Sequence, residues 1–295
     1  LKERKSINVP GAILRLPALK EKDINDLMYG IEAGFDYIAA SFIRNENDIK
    51  AIRDLLNANG GERIKIIAKI ENQEGIQNIE SIIKAADGVM VARGDLAVEI
   101  PFEEVPFYQK RMIKIAKRLG KPVIVATQML ESMSSNPNPT RAEVSDVANA
   151  VYDVTSAIML SGETAAGKYP VECVKAMDKI AKNAESNIHY WKRMKLDEAD
   201  YTTIDDKIAY IIVNSAQKIK ADAIVTYTKT GNSVARIAGL GAGCPILAIT
   251  DDKKTYNQLA LIWNVTPLLV EAKETITKTI ENGIHKFKEN GIVED

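Results

Sequence analysis

From about residue 20 to 185, short apolar, β-rich runs alternate with stretches whose apolar residues recur at helical spacing. That alternation is the pattern of βα units around a parallel sheet. The runs predict strands over 37–41, 64–70, 88–91, 123–127 and 157–160, and the stretches between them predict helices over 47–57, 76–85, 105–119, 141–152 and 171–183. Strand starts recur every 24 to 35 residues, roughly the size of one βα unit. A further helix over 21–31 has no strand of its own before it, so the repeat is entered mid-unit. A complete eight-stranded barrel takes ~250 residues. About five strands in the first 185 residues therefore predict a partial TIM-type (β/α) barrel, five of eight units.

The stretch 186–205 is polar, with Trp191, Lys192, Arg193, Lys195, Asp197 and Glu198, and reads as a connection between domains. A second α/β pattern follows over 206–295. It has helices over 206–220, 233–240, 254–262 and 275–290 and strands over 223–228, 246–250 and 265–270. The expected organisation is a barrel-type domain over 1–185 and a smaller open α/β domain with a parallel sheet over 206–295. Residues 291–295 read as the start of another strand, which makes that second domain incomplete.

Composition narrows the function. Thirty-nine basic residues against 40 acidic ones leave a formal net charge of −1, so no bulk field favours nucleic acid or an anionic membrane. Phosphate recognition must then be local. No apolar run approaches the ~18 residues of a membrane span. Cys173 and Cys244 lie far apart without metal-ligand spacing, which excludes a disulfide scaffold or zinc site and fits a reducing cytoplasm. His189 and His285 sit in charged helical surroundings and read as exposed helix residues. The start Leu1-Lys2-Glu3-Arg4-Lys5 lacks an initiator methionine and a signal-peptide core, and reads as a cut point.

The residues able to carry chemistry fall at strand ends. Alternation along a strand puts Lys69 and Glu71 on one face, with Ile70 opposite. In a barrel, catalytic groups collect at the C-terminal ends of strands, where the βα loops open. An ammonium suits a transferring phosphoryl oxygen or a developing enolate, and a hard carboxylate suits magnesium. A strand-end salt bridge is the plain alternative. The next strand ends in Arg93-Gly94-Asp95, and Asp95 offers a second carboxylate one βα unit on. Adjacent strands lie ~4.8 Å apart, so Glu71 and Asp95 could share one ion. Gly94 permits close backbone approach, with its amide free for an anionic ligand. Thr127 ends a third strand and can pass a proton through its hydroxyl or a water. Thr140 and Glu143 stand in capping-box spacing, an architectural signal. Ser161-Gly162-Glu163-Thr164 adds a polar group to the same rim.

Five segments carry a specific resemblance: Lys69-Ile70-Glu71-Asn72, the stretch Met90–Leu96, the stretch Ala126–Met133, the stretch Pro139–Val151 and Met159-Leu160-Ser161-Gly162-Glu163-Thr164. Their order and spacing resemble the pyruvate kinase family from about Ile7 to the end, most closely over 37–170. The resemblance implies that Lys69 stabilises the transferring phosphoryl and the enolate. It implies that Glu71 and Asp95 bind Mg2+ or Mn2+, and that Gly94, Asp95 and Thr127 contact the substrate carboxylate. Thr127 would sit near the route by which enolpyruvate is protonated. Phosphoenolpyruvate, pyruvate, ADP and ATP are the implied small-molecule partners, and a cytoplasmic homotetramer the implied assembly. K+ is expected for the family, with ligands not in this chain.

Two departures stand out. Ala97 replaces a glycine common in the family. In the second domain, Thr228-Lys229-Thr230-Gly231-Asn232-Ser233 follows a strand and opens a helix, a geometry that receives phosphate. It resembles the family's loop for a sugar-phosphate activator, with a plain helix cap as the alternative. Downstream, however, Leu240-Gly241-Ala242-Gly243-Cys244-Pro245 stands where the family has an arginine-proline pair.

The leading expectation is transfer of phosphoryl from phosphoenolpyruvate to ADP. The resemblance places a phosphate-binding arginine, the monovalent-cation ligands and a lid domain before Leu1, so turnover by this chain alone is expected to be negligible. The alternative is a non-catalytic fragment or truncated paralogue that retains metal or ligand binding and oligomer contacts. A Schiff-base aldolase using Lys69 is disfavoured, because flanking carboxylates hold the amine as ammonium.

Overall fold

The computed structural model describes residues 17–193 and 203–293. Residues 194–202 of the predicted connection, the first 16 residues and the last two lie outside the described residues. The chain divides into two compact units. One runs to Ala116 and over Val123–Asn187; the other comprises Lys117–Pro122 and the chain from Ile188 onward.

The first unit begins with α1 (Glu21–Glu32) and then alternates: β1 (Tyr37–Ala40), α2 (Glu46–Ala58), β2 (Lys65–Ile70), α3 (Gln73–Gln77), α4 (Ile79–Ala85), β3 (Gly88–Ala92) and α5 (Arg93–Glu99). It continues through α6 (Val105–Arg118), β4 (Val123–Ala126), α7 (Arg141–Tyr152), β5 (Ala157–Met159), α8 (Gly162–Ala165) and α9 (Pro170–Ser186). The five strands form one all-parallel sheet in sequence order, with β1 and β5 at its edges among the described residues. Five βα units of a barrel, not closed on themselves, are what the apolar rhythm predicted.

Burial follows strand position. Every residue of β3 and β4 is buried, whereas β1 and β5 are half-exposed. Interior strands of a parallel sheet are covered on both faces and therefore read as unbroken apolar runs. Helix starts use local chemistry: Asn45 caps α2, and Thr140 with Glu143 forms the capping box predicted for α7.

Two expectations need correction. The helix predicted over 76–85 is two helices, broken at Asn78, because Asn72 caps an earlier start. Residues 93–99, read as a strand end and loop, form helix α5. Despite the poor helix propensity of Gly94, tertiary bonds from Arg93, described below, hold the segment.

The second unit comprises α10 (Tyr190–Arg193), α11 (Ile204–Ile219), β6 (Ile224–Tyr227), α12 (Asn232–Gly239), β7 (Ile246–Thr250), α13 (Lys253–Leu259), β8 (Val265–Leu269) and α14 (Ile276–Glu289). Its parallel sheet has the order β6-β7-β8. The fully buried central strand β7 feeds two cores by alternation. Ile246 and Ala248 join Val213, Val234 and Ile237 from α11 and α12, while Leu247 and Ile249 join Phe287 from α14. Pro267 cannot donate to a ladder and sits on the edge strand β8, where that loss is tolerated.

Candidate active site at the strand ends

The ladder between β2 and β3 aligns Lys69 with Met90 and Ile70 with Val91, so Glu71 comes level with the end of β3. Glu71 is the first residue past β2 and is fully buried. A buried carboxylate must have partners. Its Oε2 accepts the Phe42 amide at 2.7 Å, from the turn after β1. Its Oε1 lies 2.8 Å from Lys69 Nζ, an ion pair off the axis of a hydrogen bond, so no donor satisfies that oxygen. Lys69 also donates to Ser41 Oγ at 2.9 Å. The same-face placement of Lys69 and Glu71 predicted from alternation is thus realised in direct contact.

Local sequence fixes this corner. Asn72 Oδ1 accepts the Gly75 amide at 2.8 Å, starting α3 directly behind Glu71. Gly75 is required there, since a Cβ would lie 2.7 Å from the Ile43 carbonyl oxygen. Asn78 Nδ2 donates to the Arg44 carbonyl at 2.9 Å, tying the loop after β1 to the same helix pair.

On the next strand, Asp95 lies in the first turn of α5 and is exposed. Thr127 is the first residue past β4, with φ +68°, followed by Gln128 at +54°. Left-handed backbone in non-glycine residues costs of order 1 kcal/mol and persists only where the surroundings enforce it. Here Arg93, only 9% exposed, enforces it. Its Nη2 donates to the Thr127 carbonyl at 2.6 Å, its Nε reaches the Ala126 and Thr127 carbonyls at 3.3 Å, and its Nη1 pairs with Asp146 at 2.7 Å.

The Thr127 hydroxyl donates to the Ala126 carbonyl at 2.6 Å and accepts the Gly94 amide at 2.8 Å. Gly94 and Thr127 therefore meet as predicted, but the Gly94 amide is not free: the threonine hydroxyl takes it. Glu163, read as part of a polar group on the rim, is fully buried. It accepts the Leu130 amide at 3.1 Å and the Ser161 amide at 2.7 Å.

Sequence reasoning missed Ser41, Phe42 and Arg93 as parts of this rim. Arg93 is visible in the sequence only as the first residue of Arg-Gly-Asp at a strand end. Ser41 and Phe42 carry no spacing signal, because their partners are the Lys69 and Glu71 side chains of the next strand end.

The donors present suit a hard divalent cation. Glu71 Oε1 is a buried carboxylate oxygen without a hydrogen-bond donor, and Asp95 is a solvent-reached carboxylate on the neighbouring strand's extension. Among the described residues no three His, Cys, Asp or Glu side chains gather into one cluster. Two carboxylates with substrate and water completing the shell is how Mg2+ is ordinarily held at phosphate-handling sites.

In the second unit, Gly231 caps α12 with φ +79°. Its amide donates to the buried Thr228 hydroxyl at 2.9 Å, and Thr255 Oγ1 donates to the Lys229 carbonyl at 2.7 Å. The predicted Thr228–Ser233 loop does sit at a helix start, with one of its amides already engaged. Among the described residues no helix is long and apolar enough to cross a membrane.

Comparison with known proteins agrees with this geometry. Residues 1–174 match the family model for the pyruvate kinase barrel domain, and residues 206–295 match that for the pyruvate kinase alpha/beta domain. The chain is 46% identical to pyruvate kinase of Bacillus licheniformis over 294 residues, covering 99% of this chain and 50% of that protein. It is 47% identical to the Geobacillus stearothermophilus enzyme, again over 99% of this chain and 50% of the relative. The Clostridium acetobutylicum enzyme is 46% identical over 98% of this chain and 62% of the relative. The chain thus spans about half the length of most of the curated relatives it matches. With both family models matched in order and Lys69, Glu71, Asp95 and Thr127 set on successive strand ends, this chain belongs to the pyruvate kinase family.

Proposed function

We propose that this chain supplies the phosphoryl-transfer rim of an enzyme that moves phosphoryl from phosphoenolpyruvate to ADP and protonates the enolate to pyruvate. The observation that carries the reading is the Lys69–Glu71 pair. An ammonium is held 2.8 Å from a buried carboxylate whose Oε1 lacks any hydrogen-bond donor, at the open end of a parallel strand. Glu71 and Asp95 would hold a divalent ion, which supplies Lewis-acid charge against the phosphoryl and enolate oxygens. Lys69 places a compact positive charge where anionic oxygens of donor and enolate gather. Thr127, whose hydroxyl donates to the Ala126 carbonyl and accepts the Gly94 amide, would turn that proton to the substrate carboxylate and stand at the protonation side. Catalysis of this kind is positioning and electrostatics, with little covalent work for the protein.

The same reading includes negligible turnover by these 295 residues alone. It rests on the five-stranded sheet, whose β1 and β5 edges are unpaired among the described residues, where a complete barrel has eight strands. A coupled assay for phosphoenolpyruvate-dependent ATP formation, run beside Mn2+ titration of the same protein, tests both parts. Mn2+ bound without turnover is expected. Turnover that Lys69→Met abolishes would refute the inactivity and uphold the site. Neither turnover nor Mn2+ binding would refute the assignment of Glu71 and Asp95.

A further inference from the structure

Ser41 is the first residue past β1, and no sequence signal pointed to it. Its Oγ accepts from Lys69 Nζ at 2.9 Å, while the same ammonium lies 2.8 Å from Glu71 Oε1. An ammonium has three donors and no acceptor, so it divides readily between a neutral hydroxyl and an anion. The division becomes unequal when a divalent cation approaches Oε1. Two cations at one oxygen repel, and an ammonium that stays weakens the oxygen as a ligand.

Glu71 already commits one of its oxygens to the backbone. Its side chain is 1% exposed and Oε2 is held by the Phe42 amide at 2.7 Å. Oε1 is therefore the cation-facing atom, and it is the one the ammonium now occupies. Lys69, with a side chain 23% exposed, has room to move. Ser41 and Phe42 are consecutive, so one turn, with Phe42 at φ +54°, fixes both the hydroxyl and the carboxylate.

We infer that Ser41 is a positioning residue: its hydroxyl is the seat to which the Lys69 ammonium withdraws when Glu71 Oε1 takes a divalent cation. The lysine then stays at the rim without blocking the ion. The inference rests on the proposed role of Glu71 as a cation ligand.

The test is titration of the 295-residue chain with Mn2+ alone, reading free Mn2+ by electron paramagnetic resonance. Ser41→Val and Ser41→Thr have nearly the same shape and differ in the hydroxyl, so the pair isolates it even if truncation to alanine disturbs the turn. Ser41→Val should weaken Mn2+ binding about fivefold, only part of the worth of one hydrogen bond to a charged group, because that bond already exists before the ion arrives. Ser41→Thr should stay within about twofold, and Lys69→Met should tighten binding by removing the competing ammonium. In the Lys69→Met background, Ser41→Val should change nothing. A serine that merely supports the fold would weaken binding equally in both backgrounds, and that result overturns the inference. Unchanged affinity in Ser41→Val overturns it too, leaving the role of Glu71 intact. No Mn2+ binding by the unaltered chain overturns both.

Discussion

Removing the Arg93 guanidinium tests whether the rim is braced as the structure shows. Arg93→Ala leaves three acceptors without their donor: the Thr127 carbonyl, bonded at 2.6 Å, the Ala126 carbonyl at 3.3 Å and the Asp146 carboxylate at 2.7 Å. Hydrogen bonds to a charged group contribute about 1.5–3 kcal/mol each where water cannot replace them. Asp146 is 34% exposed and regains water, so its share is discounted. The long Ala126 contact is weak. The short Thr127 bond, the partial Ala126 bond and the lost packing of a buried stem together give about 3–4 kcal/mol of destabilisation.

Urea unfolding monitored in the first unit should show this as a lower midpoint with an unchanged slope. Arg93→Lys should recover little, because a compact ammonium cannot span acceptors on two segments. Amide exchange at Gly94 should accelerate beyond the global loss, since its partner is the Thr127 hydroxyl that Arg93 indirectly orients. A loss below about 1 kcal/mol, with Gly94 exchange tracking global unfolding, would show that the left-handed Thr127 backbone is held by something other than Arg93.

Two further outcomes probe the same rim. Glu163→Gln keeps one carbonyl acceptor but aims an amide NH2 at a backbone donor in a fully buried site, so chemical denaturation should report a loss of about 2–3 kcal/mol. Burial pushes the Glu143 carboxyl up, but hydrogen bonds from Ser132 and Thr140 outweigh it and hold the group below its ordinary value. A depressed folded pKa gives stability that is fully present above the unfolded value, about 4.3, and is lost as pH falls through the folded one. Unfolding free energies between pH 6 and pH 3 should therefore decline less steeply in Glu143→Gln than in the unaltered chain, and an identical decline would refute the assignment.

The rhythm of the fold was legible because parallel strands buried on both faces leave unbroken apolar runs, as in Gly88–Ala92 and Val123–Ala126. The pairing of Lys69 with Glu71 was legible because strand alternation is strict. Helix α5 was not. Gly94 has poor helix propensity, and what holds the segment is Arg93 reaching the backbone just past β4, a contact 34 residues away in sequence. Glu163 read as a rim group because an acid after a strand looks like one. Only the three-dimensional placement of the Leu130 and Ser161 amides shows that its charge is turned inward.

These misreadings share a cause. Two left-handed non-glycine residues at this rim, Phe42 after β1 and Thr127 after β4, are each braced by a buried charge from an adjoining strand end. Glu71, after β2, takes the Phe42 amide, and Arg93, after β3, holds the Thr127 carbonyl. Glu163, after β5, then ties the backbone beyond β4 to that beyond β5. Charge-to-backbone ties thus join β1 to β2, β3 to β4 and β4 to β5 at the sheet's C-terminal edge, linking neighbours that are far apart in sequence. A charged side chain at such an edge has two separable jobs, one for each polar atom it carries. Glu71 shows the division most plainly: Oε2 sets the shape of the neighbouring turn, and that leaves Oε1 as the oxygen available for chemistry.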